Sequence, residues 1–508
     1  MCFFLKTTTP VLNTVNDFLS NSKSKFGYLD LDVRSISLFR IIVGISLLYN
    51  LIVLKWSYAV EFFGKDRIVP IEVMQTLNGR ISFSVFDIIQ NNTFALAYIL
   101  ITIICAFFFT IGYKSKLFSI VTLVLYWNIL QSNSSFCSGY DYYTFQLLFW
   151  ACFLPVGNFF AVSKSKKISK PFFSICLALI FQITCVYFIT GLSKYGDSWK
   201  GGYAVRNMLL DKWETYYFAS LVVDKPYLYK PLTYITLFFE VLFPIFIFLP
   251  SPKSVFRYLA IFFLVSFHLS ILLMYDVANF SISGFAAAAV LLPANFWDSF
   301  YEIKKENLLD TVRKWNHYVL ILFSAFSIYI IFIKNLEYST LYTEMQYWRS
   351  VENIKSVVKK LNVPPPVRVS YFMQNWKMFA PDPPTKLGWI SFEIKKEDGF
   401  SYDLMTDQLI TDVPTIYWYP SGYERYLIYR CRNYAITQDF KYKLFLRYWI
   451  PYKLKKINPD IDTKKVLFVD YYFLPGDQSV PHKLPLIKQT LPVDSINNFF
   501  KSIPVEDN

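Results

Sequence analysis

Long apolar runs constrain this chain more than any other feature. A membrane-spanning helix needs about 20 mostly apolar residues. Runs of roughly that kind recur at 35–55, 93–111, 117–132, 142–160, 172–192, 228–249, 256–275, 278–293 and 318–335. Several are short, so the pattern predicts eight or nine spans. Of the 508 residues, 54% are hydrophobic and 20% aromatic, too apolar for a soluble globular protein of this size. The expected fold is an all-α polytopic membrane bundle of eight or nine transmembrane helices, followed by a C-terminal β-rich extramembrane domain. The opening "MCFFLKTTTP" has too few apolar residues for the h-region of a signal peptide, so the first run is expected to act as its own insertion signal.

The formal charge of +14 reads as topology rather than as nucleic-acid binding. With nine spans and the N-terminus inside, the inside loops 112–116, 161–171, 250–257 and 294–317 carry 12 Lys or Arg in 48 residues. The outside loops 56–92, 133–141, 193–227 and 276–278 carry 8 in 84. The positive-inside rule favours this orientation. It puts the 193–227 loop and the C-terminal domain on the same, outer face.

Composition suggests four regions. Residues 1–34 are a polar, interfacial segment, and 35–335 form the transmembrane domain. Residues 336–364 are a connecting helix ended by the Pro-rich "NVPPPV", since proline removes a backbone donor and breaks a helix. Residues 365–508 hold β-branched and aromatic stretches such as "GWISFEIKKEDGFSYDLM", with a hairpin signal at "KEDGF". Seven cysteines without ligand spacing and only three histidines argue against a disulfide framework or a metal centre, so no metal is expected. No repeated half with paired broken helices supports a transporter.

Ionisable groups inside spans are costly and raise a functional question. Arg40, Glu240, His268 and Asp276 are the candidates. Arg40 and Glu240 read as structural intramembrane polar residues, paired with each other or with backbone carbonyls. Lys194 stands where the fifth run gives way to "KYGDSWKGG". A lysine there either snorkels into headgroups or acts as a base. The second role requires a neutral amine, which burial in an apolar pocket promotes. Phe188, Tyr195 and Trp199 are at hand to wall such a pocket, and the nearby glycines let the backbone fold tightly.

"TGLSKYGDSWKGGYAV" resembles the stretch after a middle helix of vitamin K-dependent gamma-carboxylase and its bacterial relatives, the horizontally transferred transmembrane (HTTM) proteins. "SISLFRIIVGISLLYNL", "FFEVLFPIFIFLP", "FHLSILLMYDVANFSISGFAAAAVLLP" and "NWKMFAPDPP" are similar to other family segments, in the family's order. The resemblance covers about 35–300 and 372–384. It implies an integral protein of a bacterial cytoplasmic membrane in which Lys194 deprotonates a reduced, vitamin K-like quinone. In the carboxylase, O2 then yields a strong base and CO2 adds to a glutamate, a lyase-type reaction. Carried over residue by residue, the resemblance implies catalytic roles for Lys194, Asp141 and His268. It also implies a quinone pocket containing Tyr140, Tyr195, Asp197, Trp199 and Gly191.

Two departures from the pattern matter. The carboxylase has a histidine where "SSFCSGYDYYTF" offers Tyr140 and Asp141. No convincing match extends over 385–508. Two functions follow as expectations. One is a quinol-dependent enzyme that modifies an exported peptide. The other is a non-enzymatic maturation factor or scaffold for an exported peptide, like the sporulation-delaying protein B branch. The expected partners are the lipid bilayer and an exported peptide or protein, with no nucleic acid.

Overall fold

The computed structural model describes residues 27–65, 67–71, 84–133, 137–163, 168–210, 215–275, 277, 279–300, 308–309, 319–329 and 331. Beyond these it describes 378–383, 388–395, 400–403, 409, 452, 468–475 and 484–485. Asp276, residues 1–26 and most of 336–508 lie outside the described residues.

Helix α1, Val33–Tyr49, begins at Asp32, whose carboxylate accepts the Arg34 backbone N–H at 2.8 Å. Capping of this kind satisfies a donor that has no partner inside the helix. The helix runs on through a π-helical turn, Asn50–Lys55, and a 3-10 turn, Trp56–Tyr58, into α2, Ala59–Phe63. The short α3, Val85–Ile88, leads to α4, Asn92–Ile111, which Asn91 caps and Gly112 ends in the left-handed conformation. Then come α5, Ser115–Ser132, and α6, Gly139–Ala151. The central α7, Phe173–Ser193, is followed by three short helices on the 193–227 connection: α8, Asp197–Lys200; α9, Ala204–Leu209; and α10, Tyr217–Val223. Two long peripheral helices follow, α11, Pro226–Phe248, and α12, Val255–Met274. The last described helices are α13, Phe280–Val290; α14, Ala294–Asp298; and α15, Val319–Tyr329.

Five helical segments are long and apolar enough to cross a membrane: Gly27–Phe63, Asn92–Ile111, Phe173–Ser193, Pro226–Phe248 and Pro252–Met274. The protein is an integral membrane protein, but the described residues do not reach eight or nine such spans. The reason is length and polarity. α6 has 13 residues and α13 has 11. At about 1.5 Å per residue both fall well short of a hydrocarbon core of about 30 Å. α5 carries Asn128, Gln131 and Ser132 among its buried residues. α6 and α13 fill the interior beside the spanning helices, whereas α5 buries its polar end and exposes Leu117, Ile120 and Val124. α13 packs closely there, with Ala286, Ala287 and Ala288 buried where small side chains let backbones approach.

α7 is buried over most of its length, while α11 and α12 expose most of theirs. The exposed residues of the outer pair are apolar: Ile235, Phe238 and Ile245 on α11, Phe262, Val265 and Leu269 on α12. That is the pattern of helices facing lipid.

Arg40, fully buried in α1, donates to four backbone carbonyls: Val156 at 2.7 Å, Phe160 at 2.5 Å, Phe159 at 3.2 Å and Thr110 at 3.3 Å. It ties α1 to the end of α4 and to the 156–160 loop. It does not meet Glu240, because those carbonyls already occupy its guanidinium.

The strands β1, Ile168–Ser169, and β2, Leu308–Leu309, pair in parallel. In the tail, β3, Gly388–Lys395; β4, Ser401–Asp403; β5, Phe468–Pro475; and β6, Leu484–Pro485, form an antiparallel sheet in the order β4-β3-β5-β6. The rest of the expected β-rich region lies outside the described residues.

Candidate functional site

α7 delivers Lys194 to its own C-terminal cap, where the Lys194 N–H donates to Gly191 O at 3.1 Å. The side chain turns inward and is 7% exposed as a residue. Its Nζ donates to both carboxylate oxygens of Glu240, at 2.6 and 2.7 Å. Glu240 comes from α11 and is itself buried. The close approach of the two helices depends on Gly191, since a Cβ there would overlap the Cβ of Glu240. On its other side Nζ lies 4.6 Å from the ring centroid of buried Trp199, a cation–π distance.

Lys194 and Trp199 border a cavity of about 170 Å³. Its walls are Phe239, Leu232 and Ile235 from α11, Phe263, Phe267 and Ile271 from α12, Val205 and Leu209 from α9, and Met378 and Phe379 from the tail. The polar groups on its walls are few: Lys194, Thr236, Ser266, Ser270 and Tyr275 besides the indole. An apolar hollow with a small number of polar groups is the usual form of a small-molecule site.

The tail reaches the site through residues 378–382. Trp199 Nε1 donates to Phe379 O at 2.9 Å, and Gly196 N–H donates to Pro381 O at 3.0 Å. The Asp382 carboxylate accepts the Asp197 and Ser198 backbone N–H groups, each at 2.9 Å. These are the first amides of α8, which lack partners inside the helix. Gly196 has no room for a Cβ because the Asp382 carboxyl fills that space. The "APD" of "NWKMFAPDPP" and the "YGDS" of the lysine loop therefore form one interlocked unit.

The other residues singled out in the sequence fall in different places. Asp141 is fully buried on α6 but does not line the cavity. It pairs with Lys55 Nζ at 3.2 Å and accepts from Asn50 Nδ2 at 2.7 Å, from Tyr126 OH at 3.0 Å and from the Ser138 N–H at 2.7 Å. The π-helical turn explains this gathering. Asn50 and Lys55 are five residues apart, the spacing of a π-helical hydrogen bond, so the widened turn brings both onto the face toward α6. Tyr140 is half-buried beside this cluster in sequence and is likewise not a cavity wall. His268 sits on α12 with Nε2 2.7 Å from Tyr187 OH, turned into the bundle while its neighbour Phe267 lines the cavity. Tyr195 and Asp197 belong to the lysine loop without lining the cavity, and Gly191 acts through helix approach. Phe188 is half-buried on α7 and is not a cavity wall, so of the twelve residues named from sequence the structure brings Lys194 and Trp199 to the cavity and Glu240 to Lys194.

Four participants carried no sequence signal of their role. Lys55 ends an apolar run, where a lysine ordinarily reads as a snorkelling anchor. Met378 and Phe379 lay in a recognised motif, but nothing local shows what it docks against. Asp382 sits between two prolines, a pattern that reads only as a turn.

Comparison with protein-family models matches residues 28–297 to the HTTM domain. No curated protein and no solved structure matches the chain.

Proposed function

The chain belongs to the HTTM domain family, and from that premise we propose that it is a membrane enzyme acting on a reduced, lipid-soluble quinone held in the Lys194 cavity. The observation that carries this reading is the Lys194–Glu240 pair at the edge of an otherwise apolar hollow. A cavity of about 150 Å³ is known to take one benzene ring. The hollow found here, about 170 Å³, suits a single substituted ring whose lipid tail leaves toward the membrane. A bound quinol supplies an ionisable hydroxyl and reducing electrons.

In the reacting form Lys194 has passed one proton to the Glu240 carboxylate, and its neutral amine then takes the hydroxyl proton, leaving the quinol anion beside the new ammonium. Both Nζ–carboxylate contacts are short, so the pair can hold a proton between its members without exposing a separated charge to the low-dielectric interior. Trp199 offers a flat face beside Nζ, and its indole N–H is fixed by Phe379 O. Phe239, Phe263 and Phe267 keep water from the reacting hydroxyl. In the proposed orientation, with the N-terminus inside, this site lies near the outer membrane surface.

The test is O2-dependent oxidation of a reduced quinone by purified protein in lipid nanodiscs, in which O2 takes up the quinol's two electrons and two protons as H2O2, with and without Lys194→Ala. Loss of activity with normal membrane insertion supports the reading, and unchanged activity removes Lys194 from it. Carboxylation, with O2 and CO2 as co-substrates, is read separately as a 44 Da gain on exported peptides in cells with and without the protein. No gain in any peptide would leave quinol oxidation as the activity and remove glutamate carboxylation.

A further inference from the structure

α10 has two unlike faces. Inward, Ala219 is buried and packs in a small apolar cluster with Val205 and Leu209, against Met208 and Met274. Those last four residues are also walls of the cavity. Outward, Tyr217 is 77% exposed, Phe218 49% and Leu221 42%, and Tyr216 just before the helix is 44% exposed. Positions 217, 218 and 221 share one helical face. An aromatic surface of this kind is not left in water by a soluble protein without a partner.

The backbone fixes what lies beside that face. Tyr216 N–H donates to Met274 O at 3.0 Å, and Thr215 bridges Tyr275. The exposed ring of Tyr217 therefore continues the lipid-facing side of α12, where Leu269, Leu272 and Leu273 are also exposed. Tyr227 and Tyr234 extend the same belt along the first turns of α11. Lys225 and Lys230 stand within the same stretch, and Lys230 is exposed. Tyrosines with an apolar body and a polar tip, flanked by lysines, match the chemistry of the boundary between headgroups and acyl chains.

We propose that α10 lies in the membrane interface, with Tyr217, Phe218 and Leu221 seated among phospholipids, and that it covers the cavity from that position. The bilayer then forms one support of the cavity's cover, and a ligand reaches the hollow from the lipid side. This rests on packing and exposure and is independent of the role of Lys194.

The experiment places the photoreactive residue p-benzoylphenylalanine at 217 and, in a second variant, at 221, in the full chain in phospholipid nanodiscs. The probe replaces a ring at the first position and is solvent- or lipid-exposed at both, so neither variant disturbs the core. Irradiation should add the mass of one phospholipid to the peptide containing each probe. Adducts to a second copy of the chain, adducts to the protein's own tail, or no adduct at either position would each overturn the proposal. Repeating it in Lys194→Ala separates it from the enzymatic reading: lipid adducts should persist there even though quinol oxidation is lost.

Discussion

Lys194 and Glu240 are 46 residues apart, on different helices, and the ammonium nitrogen touches both carboxylate oxygens inside the bundle. Removing one partner of a buried pair strands the other. Lys194→Met is therefore expected to destabilise the protein by about 3–5 kcal/mol, whereas replacing both partners with methionine should recover most of that loss. Quinol oxidation should be absent from both variants. Unfolding by denaturant in detergent micelles, combined with the oxidation assay, reads the two effects apart. A stable and active double variant would make the pair purely structural.

Asp141 has its own cation, Lys55, and its own ring of donors, Asn50, Tyr126 and the Ser138 amide. Asp141→Asn leaves Lys55 without its carboxylate and is expected to cost about 3–5 kcal/mol. The remaining folded protein should bind a short-chain quinone analogue with unchanged affinity, because Asp141 is not a wall of the cavity. Equilibrium titration of the folded fraction checks this. A large loss of affinity would show that the two buried pairs work as one site.

These two pairs also show how far the sequence could be read. Apolar runs located the helices, since lipid leaves a backbone few alternatives. They do not by themselves separate a crossing helix from a short buried one such as Phe280–Val290, which is as apolar. Lys194 stood out through its motif, yet its partner did not. Glu240 reads equally well as an intramembrane partner for Arg40, and only tertiary packing shows that backbone carbonyls satisfy Arg40 instead. The family pattern implies a catalytic role for Asp141 beside Lys194, but Asp141 does not line the cavity. Two of its partners, Asn50 and Lys55, come from a π-helical turn in another helix, which hydrophobic periodicity does not signal.

The contact of Asp382 with the lysine loop predicts coupling between the tail and the membrane site. Its carboxylate serves the Asp197 and Ser198 amides as a cap would. Asp382→Ala should cost about 0.5–2 kcal/mol, as loss of a helix cap does. The effect should be local. Hydrogen exchange should accelerate at Asp197 and Ser198 and at the Trp199 indole, whose acceptor is Phe379 O, while α4 stays protected. Equal acceleration throughout the bundle would mean that the contact supports global stability instead.

Gly191 offers the most direct test of how helix spacing sets the chemistry. A methyl group there would overlap Glu240 Cβ and press on Val241, so α7 and α11 must separate or Glu240 must turn. Either response lengthens the Lys194–Glu240 contacts. Gly191→Ala is expected to destabilise the protein by about 1–3 kcal/mol, the usual cost of an added methyl group in a packed interior. It should also lower the rate of quinol oxidation at saturating quinol. Leu192→Ala, a change at a half-buried neighbour, provides the comparison. It should leave that rate near wild type even if it costs similar stability. Measuring both variants at matched folded concentration decides the matter. If the two lose rate equally, helix spacing at Gly191 does not govern the pair.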